Sequence, residues 1–326
     1  MTKLTQSASN PFPNSDSNKR YYTYDYWLKT TFGGKCAKIP LDGGFTCPNI
    51  DGTCGVGGCI YCSGRGSGDF AESPLLPIEE QYRIVREKLS HKWTTERCIP
   101  YFQAHTNTYA PLSVLKDKYE KALSLPGVVA MNIGTRADCI EADVAEYLAQ
   151  IAERTILTVE LGLQSAHDAT ASRINRGHDY AAFLEGYHRL RAASDRIRIG
   201  IHIIFGLPAE TEEMMLETVE EVARLHPNEV KIHLMHVLKG TELARMYHAG
   251  LYTEMDRDRY IALTANALTR LPEDVVIGRL TGDGMESDLL APLWSKRKTT
   301  VLNDIDKYLY ENDLWQGKHC LTEYDR

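Results

Sequence analysis

The sequence lacks any long hydrophobic run. No stretch of its 326 residues approaches the ~18 consecutive apolar residues typical of a membrane-spanning helix. The polar N-terminus also offers no apolar segment that could act as a signal peptide. We therefore expect a cytoplasmic protein with no membrane contact, in which thiols stay reduced.

The sequence also lacks an excess of basic residues. Its 37 Lys and Arg against 44 Asp and Glu give a net charge of −7. A net negative charge does not favour non-specific binding to nucleic acid, because that binding depends on positive side chains that neutralise phosphates. The densest basic stretch is Lys296–Lys298, and its simplest interpretation is a solvated start of a helix.

Cysteine is scarce outside one short, glycine-rich loop. Cys47, Cys54, Cys59 and Cys62 make up half of the eight cysteines of the chain. The other four stand alone and suit structural positions; they are Cys36, Cys98, Cys139 and Cys320. Reduced thiols gathered in one loop indicate a metal site rather than disulfides.

The spacing of these thiols leaves two ligand sets open. Cys59 and Cys62 are two residues apart, so one turn can present both thiolates to the same centre. The third ligand is either Cys47 or Cys54. Three thiolates on a four-iron cluster leave one iron open for a small molecule. The alternative is a zinc ion held by all four thiolates.

After the loop, apolar runs alternate with stretches of helical periodicity. The predicted strands cover residues 38–42, 98–103, 128–133, 156–163, 197–205 and 230–235. Near-continuous apolar strands are typical of a parallel sheet covered on both faces, and six βα units are too few for a closed eight-stranded barrel. We therefore predict an α/β fold, a partial (β/α)6 TIM-like barrel.

The predicted barrel occupies residues 20–240 of the chain. Residues 1–19 contain little that could be buried, which predicts a disordered tail. Residues 241–326 form a mixed extension that caps the barrel or recognises substrate, with helices near 241–249, 256–271 and 299–312 and a strand at Val275–Ile277.

The stretches Gly44–Asn49 and Gly58–Cys62, followed by six βα units, resemble the radical S-adenosylmethionine (SAM) superfamily. The usual signature of that family is C-x3-C-x2-C. This chain departs from it, with C-x11-C-x2-C counted from Cys47 or C-x4-C-x2-C counted from Cys54. The wide spacing resembles the YtqA/YhcC-type branch, which is related to the catalytic subunit of Elongator. The resemblance covers roughly residues 20–315. It implies that Cys47, Cys59 and Cys62 hold a [4Fe-4S] cluster and that Cys54 is a spare thiol near the site.

The same resemblance implies an activity. SAM would chelate the open iron, and its one-electron cleavage would give a 5′-deoxyadenosyl radical, with flavodoxin or ferredoxin as electron donor. The branch is associated with tRNA wobble uridines, whose carboxymethylaminomethyl side chain would become aminomethyl. Two alternatives remain: a radical SAM enzyme acting on a small metabolite or peptide, and a non-enzymatic zinc-binding scaffold.

The resemblance also assigns contacts to SAM. Tyr61, just before the last cysteine, would lie near the adenine, with simple packing as its alternative. Gln103 and Asn107 stand where the family has a Gly-Gly-Glu-like motif for the SAM amino group. Glu160 lies in an otherwise apolar strand, where an unpaired carboxylate is costly. The resemblance implies that it binds the ribose hydroxyls or the sulfonium end of SAM, and the alternative is a structural ion pair.

Three further candidates follow predicted strands or lie within them. Gln164 stands at a strand end, within reach of SAM or substrate. Arg136 would pair with a carboxylate such as Glu160 or that of SAM, with a surface position as its alternative. His202 lies mid-strand among isoleucines and is either a cofactor contact or a core histidine. The stretch Asn175–His178 is expected to form a loop over the barrel mouth.

Overall fold

The computed structural model describes residues 10–91, 94–282 and 284–320. Nine strands occur in this part of the chain: β1 (Ala37–Leu41), β2 (Cys98–Phe102), β3 (Ala130–Thr135), β4 (Ile156–Gln164), β5 (Arg198–Phe205), β6 (Glu229–Leu234), β7 (Val237–Leu238), β8 (Val276–Arg279) and β9 (Leu289–Ala291). Seven of them form one parallel sheet in the order β1-β2-β3-β4-β5-β6-β8, which curls into a half-barrel. β7 and β9 pair separately as a short antiparallel ribbon.

Helices cover the outside of this sheet. The α-helices in the described ranges are α1 (Tyr24–Phe32), α2 (Ile78–Ser90), α3 (Leu112–Leu123), α4 (Ala142–Ala152), α5 (Asp168–Arg173), α6 (Tyr180–Ala193), α7 (Glu212–Leu225), α8 (Glu242–His248), α9 (Arg257–Arg270) and α10 (Lys298–Glu311). Local signals set several of their ends. Thr211 caps α7 by accepting a hydrogen bond from the amide of Met214, and Gly33 ends α1 in the left-handed conformation. None of the described helices is both long and apolar enough to span a bilayer.

The core lies between the sheet and its helices. Phe102, Ile133, Val159 and Ile201 are fully buried or nearly so on successive strands and belong to one cluster. Each such side chain contributes roughly 1.5–3 kcal/mol when it leaves water. The apolar runs of the sequence therefore become strands that are covered on the outer face, and the predicted α/β half-barrel is confirmed.

The sheet has one strand more than the six predicted. β8 comes from the segment assigned to the extension, and it pairs in parallel with β6 through Glu229–Val276 and Val230–Ile277. The helix α9, which lies between β6 and β8 in the chain, packs against α7 and α10. The extension thus contributes to the barrel sheet as well as covering it.

The segment before α1 lies against the other end of the chain. Phe12 is buried, the Asn14 side chain donates to the carbonyl of Glu273 over 3.0 Å, and Lys19 forms an ion pair with Asp306 of α10. Further on, Thr23 forms a single parallel bridge to Ile277 of β8. The disorder predicted for residues 1–19 therefore does not describe residues 10–19, while residues 1–9 lie outside the described ranges. The domain boundaries stay predictions.

Candidate functional site

A cavity of about 450 Å³ opens at the carboxyl ends of the parallel strands. This volume is within the ~300–1,000 Å³ range of small-molecule sites, and parallel βα barrels place their chemistry at this end. The cysteine end of the cavity is lined by Cys47, Cys59, Tyr61, Cys62, Arg136 and Arg176. The lysine end, in the barrel interior, is lined by Lys38, Tyr101, Glu160, His202, Lys231, His233, His236 and Arg279.

Backbone hydrogen bonds fold the cysteine loop tightly on itself. The amide of Ile50 donates to the carbonyl of Cys47 over 2.8 Å, and the amide of Cys62 donates to that of Cys59 over 3.0 Å. Just before Cys59, Gly57 and Gly58 have φ of 80° and 74°. Residues other than glycine are strained at such φ angles. These two glycines therefore allow the turn that places Cys59 at the cavity.

The loop separates its four thiols. Cys47, Cys59 and Cys62 line the cavity, whereas Cys54 is exposed and does not. The Cys54 Sγ lies 3.6 Å from Nη2 of Arg136. A hydrogen bond from the Cys62 thiol lowers the pKa of Cys59 well below its ordinary value and raises that of Cys62. Among the described residues, no group of three or more His, Cys, Asp or Glu is arranged around a single-ion site.

The loop after α5 clamps the cysteine loop from behind. The Asn175 side chain donates to the carbonyls of Val56 over 3.1 Å and Gly58 over 2.7 Å. The Ile60 amide donates to the carbonyl of Ile174 over 3.1 Å. The stretch Asn175–His178 therefore supports the cysteine loop, and its Arg176 lines the cavity. Its expected position over the barrel mouth stays a prediction.

Arg136 pairs with Asp138 rather than with Glu160. Its Nε lies 2.9 Å from Oδ1 and its Nη2 lies 2.7 Å from Oδ2 of that carboxylate. The short 3₁₀ turn at Ala137–Cys139 brings Asp138 back to the arginine two residues before it. Arg136 also donates to the carbonyl of Arg176 over 2.8 Å. Its guanidinium is thus fixed beside the cysteines, with Asp138 already balancing its charge.

Arg176 is a site residue to which the sequence assigned no separate role. It is buried, donates to the carbonyl of Gly162, and places Nη1 4.0 Å from Sγ of Cys59. Its positive charge lowers the pKa of Cys59 further, after the hydrogen bond from Cys62. The only sequence signal for Arg176 was its place in the stretch Asn175–His178, which was expected to form a loop near the barrel mouth.

Glu160 is the centre of the lysine end. Its Oε2 accepts hydrogen bonds from Tyr101 over 2.6 Å, from Nε2 of His202 over 2.9 Å and from Lys231. Its Oε1 accepts from Nδ2 of Asn132 over 2.8 Å and lies 3.5 Å from Nζ of Lys38. A carboxylate has about four lone-pair positions, so these five groups occupy it fully. The structure therefore gives Glu160 the ion-pair surroundings that were the alternative to a SAM contact.

Burial and charge set the protonation states at this end. Burial raises the pKa of Glu160, but Lys231 and Lys38 outweigh it and hold that pKa well below the ordinary value. Burial, helped by Lys231, lowers the pKa of His202 to about 4. Burial also lowers the pKa of Lys231 to about 8. At neutral pH this end therefore contains a carboxylate, a neutral His202 and a Lys231 that is mostly protonated.

The remaining predicted residues are divided between the cavity and the structure around it. Tyr61, Gln103 and Gln164 line the cavity, and the Gln103 side chain donates to the carbonyl of Ser67 over 2.6 Å. Asn107 is fully buried but does not line the cavity. Its Nδ2 donates to the carbonyls of Phe102 over 3.2 Å and Gly134 over 2.7 Å. Asn107 thus ties the ends of β2 and β3 together.

Comparison with known proteins identifies the protein family to which the chain belongs. Residues 51–222 match the model of the Radical SAM superfamily, and residues 227–311 match the Radical_SAM C-terminal domain. The fold agrees: the chain superposes on the archaeal Methanocaldococcus infernus Elp3 with an N-terminal deletion at a TM-score of 0.64 and 18% identity. That alignment covers 86% of this chain and 64%, less than two thirds, of the other. The chain belongs to the radical SAM superfamily.

Individual relatives narrow the position within this superfamily. The chain is 45% identical over 310 residues to the uncharacterized protein YtqA of Bacillus subtilis, covering 95% of this chain and 96% of YtqA. It is 34% identical over 292 residues to protein YhcC of Escherichia coli, covering 88% and 91%. It is also 28% identical to the tRNA uridine(34) acetyltransferase of Methanocaldococcus jannaschii, but only over 48% of this chain and 28% of that protein. The chain is therefore a radical SAM enzyme whose relatives resemble Elp3, and the zinc-scaffold interpretation is wrong.

Proposed function

We propose that Cys47, Cys59 and Cys62 bind the [4Fe-4S] cluster that this family uses together with SAM. The supporting observation is that these three thiols line one cavity, whereas Cys54 is exposed and does not line it. A donor set of three thiolates fits a four-iron cluster with one open iron. When bound and reduced, by a donor such as flavodoxin or ferredoxin, the cluster supplies the electron that cleaves SAM.

The residues around the thiols hold SAM and exclude water. Tyr61, Gln103, Arg136 and Gln164 line the cavity and offer an aromatic face, amide groups and a guanidinium to the adenosine and methionine parts. Glu160 acts on SAM only indirectly, because its oxygens already accept from Tyr101, Asn132, His202 and Lys231. His202 uses Nε2 for Glu160 and lines the cavity. The protein's contribution is thus to position and enclose the cofactor.

We further propose that the substrate is a tRNA wobble uridine, whose carboxymethylaminomethyl side chain becomes aminomethyl. The observation that carries this proposal is the sequence similarity to a tRNA uridine(34) acetyltransferase, whose name places its action on the same nucleotide. A second feature supports it. The basic stretch Lys296–Lys298 leads into α10, and the charge of Lys298, after burial, lowers the pKa of His236, which lines the cavity. Positive charge therefore lies near the cavity, where it would attract RNA phosphates.

Mass spectrometry of tRNA nucleosides tests the substrate. A strain without the gene should accumulate carboxymethylaminomethyluridine and lose the aminomethyl form. Returning the wild-type gene to this strain should restore the aminomethyl form, and returning the Cys59→Ala gene should not. Unchanged tRNA nucleosides in the deletion strain would refute the RNA substrate and favour a metabolite or peptide.

A further inference from the structure

The loop that follows the last cysteine places an exposed aromatic ring on the edge of the cavity. Phe70 lines the cavity and is nevertheless 47% exposed. Other large apolar residues are exposed to a similar degree on the described surface, but among them only Phe70 and Ile50 also line the cavity. An aromatic ring that is half in water at the mouth of a site is available to a ligand that enters there.

This rim loop (residues 63–71) has a fixed shape. The amides of Gly66, Gly68 and Ala71 each donate to the carbonyl three residues earlier, over 2.8–3.0 Å. The loop lies directly on the chain that follows β2, because a Cβ at Gly66 would lie 2.3 Å from Nδ1 of His105. Only glycine fits such a close approach. The rim loop therefore holds Phe70 in one place beside the cavity.

The same loop places a cation beside this ring. Nη2 of Arg65 donates over 2.8 Å to the carbonyl of Ala71, the residue after Phe70. Arg65 is exposed and forms no ion pair within the described ranges. A guanidinium has five N–H donors, so one bond to a carbonyl leaves donors for an anion. Arg65 and Phe70 thus offer a positive charge and an aromatic face on one short loop.

A positive charge beside an exposed ring is the combination with which proteins bind single-stranded nucleic acid. The cation binds a phosphate, and the ring stacks on a base. A uridine that enters a cavity must leave its stack, and its neighbour in the strand then loses a stacking partner. Phe70 can replace that partner. The net charge of −7 makes such local contacts necessary, because it provides no general attraction for RNA.

We propose that Phe70 and Arg65 form an RNA-binding rim: Phe70 stacks on a base next to the modified uridine, and Arg65 binds a phosphate of the same strand. This inference rests on the proposed function, because it takes the substrate to be a nucleotide within RNA. It adds the residues that hold the strand outside the cavity. The other planar partner for Phe70 is the adenine of SAM, and the experiment separates the two.

The first arm of the test measures the ring. A synthetic anticodon hairpin carries carboxymethylaminomethyluridine at the wobble position and a fluorescent purine next to it. It is titrated into the reconstituted holoenzyme with SAM and without reductant. We expect Phe70→Ala to weaken RNA binding roughly 5- to 100-fold and to relieve the quenching of the purine, whereas Phe70→Trp retains both. The affinity for SAM alone, measured by equilibrium dialysis, should not change. The matched control is Leu75→Ala, 92% exposed and outside the cavity lining, which should bind RNA like wild type.

The second arm measures the charge through the salt dependence of RNA binding. Each phosphate of a single strand that the protein neutralises contributes about 0.7 to the steepness of log K against log salt. Arg65→Gln should reduce the steepness by about 0.7, and Arg65→Lys, which keeps the charge, should retain it. A purely structural role of Arg65 in the rim loop would change the affinity but not the steepness. The control Arg196→Gln removes a cation just before β5, at the opposite end of the sheet, and should leave the steepness unchanged.

The outcomes separate the RNA-binding rim from the proposed substrate. Unchanged RNA affinity in Phe70→Ala, or unchanged salt dependence in Arg65→Gln, would overturn the rim even where the deletion strain loses the aminomethyl nucleoside. Weaker SAM binding by Phe70→Ala would assign the ring to the adenine and overturn it as well. A wild-type holoenzyme that binds no hairpin would overturn the rim and favour a metabolite or peptide. If RNA binding depends on both residues while the tRNA nucleosides of the deletion strain are unchanged, the rim stands and the wobble-uridine substrate fails.

Discussion

The two ends of the cavity are built in opposite ways. The cysteine end comes from one continuous loop, which its own backbone hydrogen bonds and the Asn175 clamp hold in shape. At the lysine end, Glu160 and the five groups around it come one from each of six strands: Lys38, Tyr101, Asn132, Glu160, His202 and Lys231. A loop can adapt its backbone to a bulky group, whereas a sheet holds side chains at fixed spacing. The first end therefore suits a cofactor and the second suits a fixed charge pattern.

The largest effect should come from the thiols of the cysteine end. Cys47→Ala, Cys59→Ala and Cys62→Ala should each abolish cluster binding and SAM cleavage, because a missing thiolate opens a second iron. The matched control is Cys54→Ala, which should retain most of both. Iron and sulfide content after anaerobic reconstitution, with the visible absorption of the cluster, measures the result. Loss of the cluster in Cys54→Ala with retention in Cys47→Ala would show that the other ligand set is correct.

At the lysine end, the largest loss of stability should follow Glu160→Ala. This change leaves the buried Lys231 and the half-buried Lys38 without their shared acceptor, and breaking a buried pair costs about 3–5 kcal/mol. Chemical denaturation of the apoprotein measures it. The control Glu153→Ala removes an exposed pair with Arg196, 3.0 Å apart, and should cost under about 1 kcal/mol.

Glu160→Ala also tests whether the two ends are independent. Variant protein that remains folded should still incorporate the cluster, because none of its proposed ligands contacts Glu160. A Glu160→Ala variant as stable as wild type would show that this cluster of charges does not stabilise the interior of the half-barrel.

Acid should weaken the lysine end. His202 and His236 have a pKa of about 4 in the folded protein, against about 6.5 in an unfolded chain. Between these values the unfolded state binds more protons, so stability is lost as pH falls from about 6.5 to about 4. Each histidine contributes up to about 1.4 kcal/mol per pH unit. The free energy of unfolding of His236→Phe should fall less steeply than that of wild type over this window, and parallel curves would contradict the assignment.

The smallest effect should come from the clamp on the cysteine loop. Asn175 has φ of 53°, so Asn175→Gly keeps the backbone conformation but removes both hydrogen bonds to the loop. We expect the free energy of local opening to fall by roughly 1–2 kcal/mol with little change in global stability. Hydrogen exchange of the loop amides and the rate of iron loss to a chelator measure it. An unchanged exchange rate at the Gly58 amide would mean that the cysteine loop keeps its conformation without the two hydrogen bonds from Asn175.

The sequence predicted most of the fold because its signals are local. Each of the six apolar runs became a strand, since continuous burial leaves a continuous apolar pattern. β8 was recognised as a strand but not as part of the barrel sheet. It is short, and the segment between β6 and β8 contains the ribbon strand β7 and two helices, α8 and α9, which a pattern-based analysis takes as a change of architecture.

The two ends of the site also differed in how much of each the sequence predicted. The thiols are close in sequence, so their spacing alone indicated a metal centre. The lysine end could not be assembled, because Lys38 and Lys231 are far apart in sequence and each looks like an ordinary polar residue at or near a strand end. Glu160 and His202 stood out within apolar strands, but their partners did not. For Arg136 the predicted partner was a distant carboxylate, whereas Asp138, two residues away, was the one within reach.

The bridge between Thr23 and Ile277 has a consequence for the behaviour of the protein in a crowded solution. A half-barrel has two open edges, and an uncovered edge strand is a template for pairing with another chain. At β8 the amide of Ile277 already donates to the carbonyl of Tyr22 over 2.7 Å, and α1 packs beside it. The N-terminal segment thus protects this edge against aggregation, and shortening the chain beyond Tyr22 would expose it.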